Sequence, residues 1–160
     1  MLATRLALIA VACVATLPAS AQLLQRKDLS YPIALTIAQA ALDDCKGRGY
    51  ATSVVVIDRG GNTVVALRAD NASAHTMENA RSKAYTAMTF KMTTADFIKE
   101  MATRPVRREQ TTLPNVIAID GGVPIKVGND VVGGVGLSGS PGLDEQCVMA
   151  GMNKVKDQLQ

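Results

Sequence analysis

The chain has 160 residues, 48% of them hydrophobic and 19% charged, with a formal net charge of +3. That is enough for one domain with its own core, excludes an intrinsically disordered chain, and leaves too little excess charge to point to a nucleic-acid partner. Trp is absent and aromatic residues make up 3%, against stacking platforms for single-stranded nucleic acid, while one His and three Cys are too few for a multi-histidine metal site.

Residues 1–21 read as a secretory signal peptide. Arg5 supplies the positive start, Leu6 to Leu17 the apolar run, and Ala19-Ser20-Ala21 the small-residue cleavage pattern. The run is shorter than the roughly 20 residues a membrane helix needs, and no later stretch is longer. The expected product is therefore a periplasmic or secreted domain over 22–160, with no membrane attachment after cleavage. Loss of Arg5 leaves 17 − 1 = 16 basic against 14 acidic side chains. Loss of Cys13 leaves Cys45 and Cys147. An even cysteine count in an oxidising compartment predicts a disulfide, with two separately buried thiols as the alternative. The bridge would span 147 − 45 = 102 residues and stabilise by up to roughly 4–5 kcal/mol in the chain-entropy model.

Gln22 to Leu29 read as an extended lead. Ser30 is placed to cap a helix with Pro32 in its first turn. Ile33, Ile37, Ala41 and Cys45 then form an apolar stripe that ends near Gly47 and Gly49. Ser53 to Ile57 and Thr63 to Arg68 are strands, joined as a hairpin through Asp58-Arg59-Gly60-Gly61-Asn62. Asp70 to Ala74 form a loop. Thr76 to Thr89 carry a helical face of Met77, Ala80, Ala84, Ala87 and Met88. Thr93 or Thr94 caps a further helix to about Thr103, with Phe97, Ile98 and Met101 inward, and Pro105 stops it. Val106 to Asn115 is a polar stretch and Val116 to Ile119 a short strand. After the Gly121-Gly122 turn, Pro124 to Val127 and Val131 to Leu137 form a second hairpin across Gly128-Asn129-Asp130. Leu143 to Leu159 closes the chain as a helix. Hairpins dominate and βαβ alternation is absent, which predicts an α+β fold with an antiparallel sheet in a single domain. Packing the first helix beside the last would bring Cys45 to Cys147.

Gly134-Val135-Gly136-Leu137-Ser138-Gly139 matches a dinucleotide fingerprint, but only one helix follows it, so close packing and a turn is the simpler reading. Ser138, Gly139 and Ser140, before the last helix, could instead form a nest for a carboxylate or phosphate. His75 is the only histidine. It could be a surface or capping residue, a zinc ligand with Glu78, or an iron ligand in haem with Met77, Met88, Met92, Tyr85 or Tyr31 as a second ligand. No G-x-S-x-G elbow surrounds a serine to support a Ser-His-Asp triad. Two basic groups, Arg81, Lys83 and Lys91, and Arg104, Arg107 and Arg108, could meet ligand carboxylates or simply be solvated.

Several segments together resemble the GlcG/HbpS-like family of haem-binding or haem-degrading domains, also found at the C-terminus of PduO proteins. They are Leu35-Thr36-Ile37-Ala38-Gln39-Ala40, the run from Val54 to Asn62, His75-Thr76, the run from Arg81 to Ala87, Gly121-Gly122-Val123-Pro124-Ile125, Val132 to Gly139, and Asp144 to Gly151. The resemblance runs in order through nearly all of residues 22–160. It implies a profilin-like fold, a central antiparallel sheet flanked by helices, and a homo-oligomer. It also implies haem, or a corrinoid-related ligand, as cofactor and a sensor-protein partner. On this reading His75 ligates iron, and Arg81, Lys83, Arg107 and Arg108 meet the propionates. A small-carboxylate enzyme or binding module, using a cleft between Asp58, His75, Lys83 and the Gly121-Gly122 turn, is the alternative.

Overall fold

Helix α1, Tyr31–Gly47, carries Pro32 in its first turn and buries Ala34, Ile37, Ala38, Ala41 and Cys45 along one stripe. The computed structural model describes residues 24–160. The signal peptide expected over 1–21, with Cys13, lies outside the described residues. Ser30 stands at the N-cap of α1, but its side chain makes no capping hydrogen bond.

Strands β1 (Ser53–Asp58) and β2 (Thr63–Arg68) form the first hairpin. Asp58 closes its turn, with Oδ1 accepting from the backbone N–H groups of Gly60 and Asn62 at 2.8 and 2.9 Å. Helices α2 (Thr76–Phe90) and α3 (Thr94–Thr103) follow, and the Thr93 hydroxyl caps α3 by accepting from the Asp96 N–H. Strands β3 (Gly122–Val127) and β4 (Asp130–Ser138) make the second hairpin, and helix α5 (Asp144–Val155) ends the fold.

All strand pairs are antiparallel, in the order β2-β1-β4-β3. β1 is buried on both faces, so its alternation sorts side chains between two cores. Val54 and Val56 join α1, α5, Cys45 and Cys147 in the larger cluster. Val55 and Ile57 meet Ala80 and Ala84 of α2 on the opposite face. Cys45 of α1 is joined to Cys147 of α5 by the expected disulfide.

Glycine sets the spacing between the layers. A Cβ on Gly134 or Gly136 of β4 would overlap the carbonyl oxygen of Ala84 or Ala80, and one on Gly122 of β3 would overlap that of Lys83. The glycine-rich pattern in β4 is thus a bed for α2, with a turn at Gly139 (φ +127°). On the other face, Gly151 of α5 lies against the Ile37 carbonyl in the same way.

Three boundaries differ from the sequence expectation. Pro105 does not only end α3. It opens a short helix α4, Pro105–Gln110, because a proline at the first helical position needs no N–H partner. The stretch expected as polar and irregular is therefore partly helical, and Arg107 anchors it with its guanidinium over the rings of Phe90 and Phe97. Val116 to Ile119 form no strand. The Ile117 N–H donates to the Thr86 hydroxyl at 2.9 Å instead of to a sheet. The last helix loosens into a 3₁₀ turn at Lys156–Gln158 before reaching Leu159.

Gly136→Ala is expected to cost about 3 kcal/mol or more in denaturant unfolding, because the added methyl would run into the α2 backbone at the Ala80 carbonyl and the Ala84 nitrogen. Gly47→Ala, at the open end of α1 with nothing within 4 Å, should be neutral or stabilise by up to about 1 kcal/mol. Equal effects would refute the close-approach explanation.

Candidate functional site

The start of α2 meets the end of β4 and the start of α5 in a cleft of about 300 Å³. From α2 and the residue before it come His75, Thr76, Asn79 and Lys83. Ile119 and Asp120 approach from the segment before β3, Ser138 and Gly139 from the end of β4, and Asp144 from the start of α5. The register explains the meeting: Ser53 opens β1 opposite Ser138, and the Ser53 hydroxyl lies 2.8 Å from that of Thr76.

His75 stands at the N-cap of α2, exposed, and its imidazole makes no hydrogen bond among the described residues. The floor is different. Lys83 falls on the buried alanine face of α2 and is 1% exposed. Its Nζ donates to Asp144 Oδ2 at 2.6 Å and to the Leu137 carbonyl at 2.9 Å. Asp144 Oδ1 accepts from the Ser140 N–H at 2.8 Å and the Ser140 hydroxyl at 2.7 Å. The Ser140 oxygen also lies 3.0 Å from Cys45 Sγ. A disulfide sulfur carries no hydrogen, and the single hydroxyl proton goes to the carboxylate, so this is a contact without a hydrogen bond. A buried ion pair with its remaining lone pairs satisfied in this way is held in one geometry.

The structure brings His75, Lys83, Ser138 and Gly139 together and places the rest elsewhere. The loop expected to hold an external anion already holds the carboxylate of Asp144, so the Ser140 amide and hydroxyl are engaged internally. Lys83 likewise has its counter-ion inside the protein. Arg81 donates to Asn115 Oδ1 at 2.9 Å. Arg107 donates to Glu100 at 2.7 Å and does not line the cleft, and Arg108 is exposed on α4. Asp58 belongs to the β1–β2 turn, at the opposite end of β1 from Ser53, and is no part of this cleft. The hydrogen bonds from Asn62, Gly60 and Gly61 hold its carboxyl below the usual range despite the opposing effect of burial. Among the described residues no group of three or more His, Cys, Asp or Glu side chains is placed to hold a metal ion.

Sequence reasoning missed Asp144 and Asp120. A signal for Asp144 existed: a lysine between Ala80, Ala84 and Ala87 on an apolar helical face requires a buried counter-ion. Glu145, next to Asp144, was also missed. Its Oε2 is buried without a hydrogen-bond partner. Burial, then the charges of Asp96 and Asp120, raise its carboxyl above the usual glutamate value, against the opposing charge of Lys99.

The profile of the family described as "Haem degrading protein HbpS-like" matches residues 29–153. Protein GlcG of Escherichia coli (strain K12) is 28% identical over 110 residues, covering 69% of this chain and 81% of that protein. HbpS from Streptomyces reticuli, crystallised as a double mutant, is similar in structure with a TM-score of 0.79 and 33% identity, over 88% of this chain and 98% of that one. The crystal structure of a PduOC:haem complex aligns with a TM-score of 0.71 and 23% identity, over 79% of this chain and 94% of that one, a likeness of fold.

Two outcomes follow from the charges. Lys83→Met leaves a carboxylate buried and unpaired and should cost about 3–5 kcal/mol in denaturant unfolding. Adding Asp144→Asn, which removes the second charge yet keeps an acceptor for Ser140, should recover most of that loss. No recovery would show that packing, not charge, sets the cost. Glu145→Gln should raise the melting temperature at pH 7, because the fold disfavours the ionised carboxyl. The gain should vanish as pH falls below the ordinary glutamate value of 4.5, where folded and unfolded chains are both protonated.

Proposed function

The chain belongs to the HbpS-like family, and on that premise we propose that it is an exported haem-binding protein in which His75 supplies an iron ligand. The observation that carries the choice of residue is the exposed, unbonded imidazole of His75 at the mouth of the cleft. A neutral imidazole with a free ring nitrogen is a standard axial ligand. Haem, when bound, would supply iron chemistry. The protein would supply the ligand, the orientation and the control of access. A cleft of about 300 Å³ suits the approach of one edge of a porphyrin and does not enclose it, so the group would lie at the surface. The PduOC neighbour is described as a complex with haem, which agrees with the ligand class. Export through the signal peptide, assembly into a homo-oligomer and work with a sensor protein belong to the same reading.

A second reading is favoured by the size of the cleft. Asn79, Ser138 and His75 line a space that would take a small carboxylic acid, with His75 as the group that moves a proton.

Titration of the purified protein with haemin should give a saturable Soret shift that His75→Ala weakens at least about tenfold. Small carboxylic acids, screened in parallel by thermal shift, should leave the melting temperature unchanged. Acid binding without a haemin response would replace the first reading with the second.

A further inference from the structure

Ser138 ends the row of β4 residues on which α2 lies. Gly134 and Gly136 face the carbonyls of Ala84 and Ala80, and Ser138, two residues further on, points to the same side of the sheet. The helix begins there, at Thr76, so the row opens into the His75 cleft and Ser138 lines it. Ser138 is only 5% exposed. Its cross-strand neighbour Ser53 has the Thr76 hydroxyl as a partner at 2.8 Å. The Ser138 hydroxyl has no hydrogen-bond partner among the described residues. A hydroxyl so enclosed and left open costs stability unless something outside the chain satisfies it.

Two more polar groups of the same lining are open. Among the described residues the Asn79 side-chain amide makes no hydrogen bond, and the half-buried Asp120 carboxylate makes neither a hydrogen bond nor an ion pair. Lys83 does not serve Asp120, because its Nζ is engaged by Asp144 at 2.6 Å and by the Leu137 carbonyl at 2.9 Å. The cleft therefore carries one negative charge that the described residues do not balance. After burial and Asp96, that charge also helps to raise the carboxyl of Glu145, whose Oε2 is buried without a partner. A cation beside Asp120 relieves both groups, whereas a carboxylate ligand is repelled by them. A metal ion is one such cation, but among the described residues no group of three or more His, Cys, Asp or Glu side chains is placed to hold one. Three open acceptors, one of them charged, instead match the three N–H donors of a primary ammonium group.

We propose that this cleft binds the ammonium group of a small primary amine, with Asp120 as its counter-ion and the Asn79 side-chain oxygen and the Ser138 hydroxyl as its other acceptors. At about 300 Å³ the space is at the small end for ligand sites, so the amine is compact. The site goes beyond the haem-binding reading and does not rest on it, since none of the three acceptors is an assigned iron ligand. It competes with a carboxylic acid for the same space.

The purified protein is titrated by calorimetry at low salt with butylamine, butanoate and tetramethylammonium. Butylammonium is expected to saturate one site at millimolar concentration, and butanoate none. Tetramethylammonium carries the charge without an N–H and should bind at least about tenfold more weakly. Asp120→Asn should weaken butylammonium at least about tenfold. Ser138→Ala should weaken it about fivefold or more, yet leave the melting temperature of the free protein unchanged or higher, because it removes an enclosed hydroxyl without a partner. A hydroxyl that serves only the fold would lower the melting temperature and leave binding intact, and that result overturns the inference. His75→Ala should change butylammonium affinity by less than about twofold while it weakens haemin, so the two readings fail separately. No saturation by butylammonium up to about 10 mM overturns the inference and leaves the His75 reading untouched. Saturation by butanoate in its place overturns it in favour of the small-acid reading. Equal affinity for tetramethylammonium, or an Asp120→Asn protein that binds as the wild type does, also overturns it.

Discussion

Helix α2 rests on strands β3 and β4 at Gly122, Gly134 and Gly136, where its own carbonyls fill the space that side chains would need. The approach presses one face of the helix against the sheet, and every residue on that face must be small or satisfied. Ala80, Ala84 and Ala87 meet the first condition, and Lys83 meets the second. Its chain runs along the sheet to the end of β4, where the Leu137 carbonyl and Asp144 receive its protons. The ion pair joins α2 to the first turn of α5 across the end of the sheet. Without the glycines the helix would stand further out and the lysine would not reach.

The opposite face repeats the device with different chemistry. Gly151 lets α5 lie against α1, and the disulfide between Cys45 and Cys147 ties the same two helices. Asp144 lies one turn before Cys147, so the covalent tie and the ion pair hold one segment of α5 from both sides of the sheet. Ser140 bridges them, donating to Asp144 while touching the sulfur of Cys45. The floor of the His75 cleft is therefore the most constrained part of the molecule. His75 above it is exposed and makes no hydrogen bond among the described residues.

The two ends of α2 contrast in charge. At its start Lys83 and Asp144 compensate each other inside the protein, leaving one imidazole and the Asp120 carboxylate at the mouth of the cleft. At its end Arg26 and Lys91 form no ion pair among the described residues, beside the Tyr85 phenol and the Met88 thioether. One helix thus separates a cleft that holds a carboxylate from a cationic one, and the candidate iron ligands of the sequence fall into both.

Much of this was legible in the residues alone. Periodicity of four along Ile33, Ile37, Ala41 and Cys45 marked α1, and Val-rich runs joined by turn residues marked both hairpins, because these patterns follow from local geometry. The disulfide was legible from an even cysteine count and two helical stripes. Pro105 misled because the same residue ends one helix and begins another, and only the packing of Arg107 on Phe90 and Phe97 decides which. Val116 to Ile119 reads as a strand by composition, yet the sheet offers it no partner, and a strand exists only where a neighbour accepts its hydrogen bonds. The sequence also placed a lysine on an apolar face and so announced a buried counter-ion. Only the tertiary structure chose Asp144, 61 residues away, and turned the supposed anion nest inward. Local pattern decides what an element is. Which charges meet depends on how closely the layers approach, and that distance is set by glycines whose role no local pattern reveals.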